Sequence, residues 1–158
     1  MTETRFDLFS SELMTGFVRR LSAASQVVAE ASLPKPVQEL VKLRASQING
    51  CGMCTDMHVK DALAAGEDQT RLFLVAAWRE ATVFTEAERA ALALTEEATR
   101  LADASPGVSD ETWREVRKHY DDEQVAALIG VLAVINAWNR INVIAATPAG
   151  GYRPGMFG

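Results

Sequence analysis

The chain has 158 residues, 48% of them apolar and 23% charged, and a net charge of −5. That length and balance suit one soluble globular domain over 1–158 with a sizeable buried core, and the acidic balance argues against a nucleic-acid binder, which needs clustered Lys and Arg. The N-terminus, Met1-Thr-Glu-Thr-Arg-Phe-Asp7, carries acids and no apolar segment, so no signal peptide is read there and a cytoplasmic location is expected.

Along the chain helices are expected nearly everywhere and strands nowhere. Phe9, Leu13, Phe17, Leu21 and Val28 fall on one helical face. Pro34 and Pro36 interrupt and open a second helix, Val37 to about Ile48. Asn49-Gly50 is a breaker pair, so a third helix begins in the cysteine motif and ends near Gly66. A short fourth helix, about Asp68 to Trp78, follows. Thr85-Glu-Ala-Glu88 reads as a capping box. The helix it opens carries Ala87, Ala91, Leu94, Ala98 and Leu101, small residues suited to close packing within the chain or across a subunit boundary. Ala104-Ser-Pro-Gly107 reads as a loop, and Ser109 as the cap of a short helix with Trp113 and Val116. The longest apolar run, Val125 to Ile135, is too short to span a bilayer. The helix containing it, about Asp122 to Ile144, is apolar on almost all sides and is expected at the centre of the fold or at an interface. The tail from about 147, rich in Gly and Pro, is expected to be irregular and to drape over a neighbour. No internal repeat or domain boundary is evident.

Chemistry concentrates in Ile48-Asn-Gly-Cys51-Gly-Met-Cys54-Thr-Asp-Met-His58, which holds both cysteines and one of the two histidines. On a helix the three fall on one stripe. In the first turn, alpha carbons three apart are roughly 5 Å from each other, within disulfide range. A thiolate there is stabilised by free backbone N–H groups and the dipole. One sulfur can then attack and the other resolve the product as a disulfide, with His58 one turn on to take or deliver the proton. A pair of this kind in a reducing compartment is more often catalytic or metal-binding than structural. Two buried apolar cysteines with a satisfied histidine are the bland alternative. A thioredoxin reading would need strands.

The stretch Glu39-Leu-Val-Lys-Leu-Arg-Ala-Ser-Gln-Ile-Asn-Gly-Cys51-Gly-Met-Cys54-Thr-Asp-Met-His58 resembles the signature of the carboxymuconolactone decarboxylase superfamily, in its AhpD-like alkylhydroperoxidase branch. Ala77-Trp-Arg-Glu80, Phe84 to Thr95 and Ala137-Trp-Asn-Arg-Ile-Asn142 extend the likeness from about Glu39 to Asn142, with a motif core about 37–102. The resemblance implies an all-α, AhpD-like bundle of about six to eight helices, assembling as a homo-oligomer, trimer or hexamer. It implies a thiol peroxidase in which Cys54 attacks a hydroperoxide, Cys51 resolves the sulfenic acid to a disulfide, and His58 and Glu39 relay the proton. No cofactor or metal is implied beyond the Cys51–Cys54 disulfide, and the reductant would be a lipoyl- or thioredoxin-like dithiol. No membrane or nucleic-acid partner is implied. The chain departs from the best-known peroxidases at Met53, where they carry a histidine, and a methionine cannot relay a proton. The decarboxylase branch typically lacks the cysteine pair.

Two other classes compete. A zinc module would bind Cys51, Cys54 and His58, but needs a fourth ligand, with His119 or Glu39 on offer. A redox sensor would use the same pair without fast turnover. His119, in a charged stretch, otherwise reads as a cation favouring a helix C-terminus. Arg140 and Asn142 are expected to hydrogen-bond within a subunit interface, and Trp78 and Trp113 to be core or interface aromatics. Ser46 and Gln47 could line a pocket or serve the helix end.

Overall fold

The computed structural model describes residues 3–103 and 107–156, and these hold seven α-helices and no strand. In chain order they are α1 (Glu12–Ala29), α2 (Lys35–Ile48), α3 (Gly52–Ala64), α4 (Gln69–Leu74), α5 (Glu86–Thr99), α6 (Asp110–His119) and α7 (Asp122–Ala145). The starts follow local chemistry. Ser11, Asp68, Thr85, Ser109 and Asp121 each accept a backbone N–H of the turn they open. Thr85 with Glu88 forms the expected capping box, and Asp121 with Gln124 forms a second.

Helix α2 is the centre of the bundle, packing against α3, α5 and α7. It can do so because it is apolar on two faces. Val37 and Val41 join Ala91, Leu94, Val116, Leu128 and Val131 in one core. Leu40 and Leu43 join Ala62, Leu72, Val75, Trp78 and Leu92 in another. Each such side chain, fully buried, is worth about 1.5–3 kcal/mol relative to exposure. A third, smaller cluster of Ala45, Cys51, Cys54 and Ile135 joins the cysteines to α7. Polar anchoring comes from buried Glu96 on α5, which accepts from Arg44 (2.8 and 2.5 Å) and from Trp78 Nε1 (3.1 Å), and pairs with Arg79 and Arg100. Burial pushes its carboxyl up, but the Arg79 and Arg44 guanidiniums outweigh that and hold it at about 2.

The turn between α2 and α3 sets the site. Asn49 ends α2, Gly50 takes a left-handed conformation (φ 65°), and two reversed hydrogen bonds close the end: Gly50 N–H to Gln47 O (3.3 Å) and Cys51 N–H to Ser46 O (2.9 Å). This is a Schellman ending, and it releases the chain directly into the start of α3.

Several expectations shift. The first helix begins at Glu12, so Phe9 lies before it. No residue of α1 is buried, and Phe9, Leu13 and Phe17 are 68%, 79% and 51% exposed. The apolar periodicity there marks a face that this chain does not cover. Helix α2 starts at Lys35, with Pro36 inside its first turn. The fourth helix stops at Leu74 and continues as a 3-10 turn, Val75–Ala77. Helix α5 ends at Thr99, leaving Leu101 outside and 63% exposed. Of the expected 104–107 loop, Ala104, Ser105 and Pro106 lie outside the described residues, as do Phe157 and Gly158 of the tail. Trp78 is core, whereas Trp113 is 40% exposed. Helix α7 has 24 residues, and an 18-residue stretch of it reaches a mean hydropathy of 1.5, so by length and composition it is able to cross a bilayer. Yet it packs against α1, α2, α3 and α5, and its outer face leaves Ile129, Val143 and Ile144 exposed. It is a bundle helix covered on one side.

A β-branched residue in the left-handed region costs about 1–3 kcal/mol. Gly50→Val should therefore lower the unfolding free energy extrapolated from urea titration by about 1–3 kcal/mol, and the midpoint with it, while Gly50→Asn, which tolerates the conformation, should lose much less. Equal midpoints for both variants and the parent would show that the turn does not constrain the fold.

Candidate active site

Cys51 occupies the N-cap of α3 with extended backbone (φ −82°, ψ 95°), and its Sγ accepts the Cys54 N–H at 3.3 Å. A thiol thus stands where Ser, Thr or Asp usually cap, and every contact favouring a cap's negative oxygen favours a thiolate there. Both cysteines are free thiols, 2% and 1% exposed. They are one coupled pair. The hydrogen bond from the Cys54 thiol lowers Cys51 most; burial opposes it, while the Cys54 N–H and Asn139 add to it, leaving Cys51 at about 7. Cys54 is pushed the other way, by its hydrogen bond to Cys51 and by burial, so it keeps its proton.

His58, one turn after Cys54, is 6% exposed and its Nδ1 lies 2.8 Å from Glu39 Oε2. Burial of Glu39 raises its carboxyl, but the hydrogen bond and charge of His58, with Lys42 at 2.8 Å, hold it down at about 2. The carboxylate therefore fixes the imidazole through Nδ1, which leaves Nε2 as the reactive nitrogen. Nε2 is buried and has no hydrogen-bond partner. An orphaned buried nitrogen on the cysteine-bearing helix calls for an explanation, and a candidate role in proton transfer supplies one.

Helix α7 supplies what the motif alone does not reveal. Asn136, Asn139 and Asn142, three apart, form a polar stripe on an otherwise apolar helix. The Asn49 side chain donates to Asn136 and Asn139, each at 2.9 Å, and fully buried Asn139 donates to Ser46 Oγ at 3.0 Å. Asn142 Nδ2 reaches Cys54 Sγ at 3.5 Å, and Asn139 lowers the pKa of both thiols. Asn142 thus contacts a cysteine of its own chain. Arg140 donates back to Asn136 O of its own helix. The recoverable signal was the spacing: three asparagines on one face of a hydrophobic helix demand polar partners.

The remaining expected residues separate. Ser46, Gln47, Gly50, Cys51, Gly52, Thr55 and Asp56, with Ala149 and Gly150 of the tail, line a cleft of about 700 Å³. Cys54 is not among its walls. Met53 is half-buried beside the cysteine cluster. His119 ends α6 on the surface, and no group of three or more His, Cys, Asp or Glu suited to a metal ion occurs among the described residues.

Residues 15–97 match the sequence model of the carboxymuconolactone decarboxylase family. YdfG of Bacillus subtilis, an uncharacterised protein, is 41% identical over 114 residues, 72% of this chain and 76% of its own length. A protein of unknown function from Agrobacterium tumefaciens, for which an AhpD-type antioxidant role has been suggested, superposes with a TM-score of 0.87 at 31% identity. That match covers 95% of this chain and all of the other. An alkyl hydroperoxide reductase AhpD of Rhodopseudomonas palustris is 41% identical, but over 75 residues, 45% of this chain and 41% of that protein.

Because Cys51 is held at about 7, below the ordinary thiol value, its charged form is the favoured one. Its alkylation rate should rise with pH through about 7 and level off above it. Cys54→Ala removes the largest stabilising contact, so the midpoint should climb toward the ordinary range. A midpoint near 9 in the parent, with no change in the variant, would contradict this arrangement.

Proposed function

This chain belongs to the carboxymuconolactone decarboxylase family, and on that premise we propose that it is a thiol-dependent peroxidase of the AhpD type. The observation that carries the reading is the pairing of a half-ionised thiol couple at the start of α3 with a buried His58–Glu39 dyad whose Nε2 is unpartnered.

Cys54 attacks the outer oxygen of a hydroperoxide. The S–O bond forms, the O–O bond breaks, and an alcohol leaves. Cys54 is held protonated, so its attack needs a base, and His58 Nε2 takes that proton and hands it to the departing alkoxide. The Cys51 thiolate then displaces hydroxide from the Cys54 sulfenic acid, which departs as water with a proton drawn from solvent through His58. The product is the Cys51–Cys54 disulfide, and an external dithiol returns two electrons by exchange. Met53 carries no proton, which leaves His58 as the only imidazole of the motif. No metal or organic cofactor enters this cycle. The uncovered apolar side chains on α1 and α7 support association with further copies of the chain.

The test is to reduce the protein with chelator present, add a stoichiometric organic hydroperoxide, and follow free thiols. Both thiols should disappear and return with dithiol. Cys54→Ser should abolish the reaction, and Cys51→Ser should stop at a trappable sulfenic acid. His58→Gln and Glu39→Gln should slow it by about 10²–10⁴-fold, the usual contribution of acid–base catalysis. Survival of both parent thiols in excess hydroperoxide would sink the reading.

A further inference from the structure

The tail from 147 turns back onto α3 of its own chain, held by side chains that the proposed catalysis does not use. The Asp56 carboxylate accepts the backbone N–H of Gly150 at 2.8 Å and of Tyr152 at 3.4 Å. Lys60, paired with Asp56 at 2.7 Å, donates to the carbonyls of Gly150 (3.1 Å) and Tyr152 (3.0 Å). The Tyr152 hydroxyl donates to both oxygens of Asp61 at 2.8 and 3.0 Å, and its ring is buried. Burial, with Asp61 as acceptor, pushes the phenol up to about 12, so this bond keeps its proton across the physiological range. Asp56 and Lys60, four positions apart, lie on one side of α3, and Asp61 follows Lys60 further round the helix.

A Gly- and Pro-rich terminal segment ordinarily stays loose unless something ties it down. Here two paired charged side chains engage the N–H and carbonyl groups of Gly150 and Tyr152, and a buried phenol anchors the segment. The segment so fixed forms a wall of the cleft. Ala149 and Gly150 face Cys51 across it, and a Cβ built on Gly52, the residue after Cys51, would come within 3.3 Å of the Ala149 methyl. Cys51 borders the cleft yet is only 2% exposed. The space above the sulfur is therefore defined in part by this segment.

We propose that residues 149–152 form a selectivity strap over the cleft at Cys51, latched by Asp56, Lys60 and Asp61, which admits slender ligands and excludes bulky ones. Its bearing on turnover rests on the peroxidase reading and lies at Cys51, the resolving thiol beside which the returning dithiol must act, since Cys54 is not among the walls of the cleft. Its claim on access to Cys51 does not rest on that reading.

Two latch variants lie outside the proposed catalytic set. Lys60→Met removes both carbonyl contacts, and Tyr152→Phe removes the Asp61 bond while keeping the ring. With the full-length protein, the rate of Cys51 modification is measured by peptide mass mapping for iodoacetamide and for fluorescein maleimide. Opening the strap should raise the fluorescein maleimide rate by about tenfold or more while iodoacetamide changes by less than about threefold, as expected for a gating segment. Equal changes with both reagents in both variants, or no change in either, would overturn the strap. The same variants are then scored on hydrogen peroxide turnover with dithiothreitol against reduced thioredoxin, a small and a bulky dithiol. A shift in the alkylation ratio without peroxide consumption leaves the strap standing and removes the peroxidase. Peroxide consumption with unmoved ratios in both assays does the reverse.

Discussion

The reversal at Asn49-Gly50 is the constraint on which this site depends. Two hydrogen bonds and one left-handed glycine turn α3 back along α2 within three residues. As a result Glu39, nineteen positions before His58, meets it at 2.8 Å, and Cys51 arrives at a helix start with its sulfur already in the capping position. A looser connection would leave each residue present and none of the couplings. The same turn directs Asn49 at the asparagine stripe of α7, so the third helix of the site is tied to the turn itself.

Ionised and polar groups near the site are buried only in company. Glu39 is held by His58 and Lys42, Glu96 by three arginines and an indole, and the two sulfurs by each other and by amides from α7. Each partner offsets a desolvation cost that would otherwise neutralise the charge or disfavour burial. Among the described residues Gln38 Oε1 and His58 Nε2 are the buried side-chain atoms left without a partner, and of the two only His58 Nε2 lies on the helix that carries the cysteines.

Much of this was legible in the sequence, and for identifiable reasons. The all-α class, the capping box at Thr85–Glu88 and the breaker at Asn49-Gly50 are local signals, decided by residues a few positions apart. The grouping of Cys51, Cys54 and His58 is equally local, because helical spacing alone brings it about. Glu39 needed the quoted motif, since periodicity gives no reason to choose it among the acids. The uncovered α1 face was not legible, because apolar periodicity reports which residues share a side and not whether anything packs there. Asn139 and the strap were missed because their partners lie some ninety residues away, beyond the reach of any local pattern. Family comparison identifies the fold at a TM-score of 0.87 but leaves these pairings to be read from coordinates.

The capping role of Cys51 has a redox corollary. In the reduced protein its sulfur carries charge at a helix start and accepts the Cys54 N–H. In a disulfide the same sulfur has no charge to stabilise, so the helix end favours the reduced pair over the oxidised one. For a Cys51–Cys54 couple of the kind proposed, the reduction potential would thereby be raised, and the oxidised form would be easier to reset by a dithiol. The feature that begins a helix also tilts the balance of electrons across it.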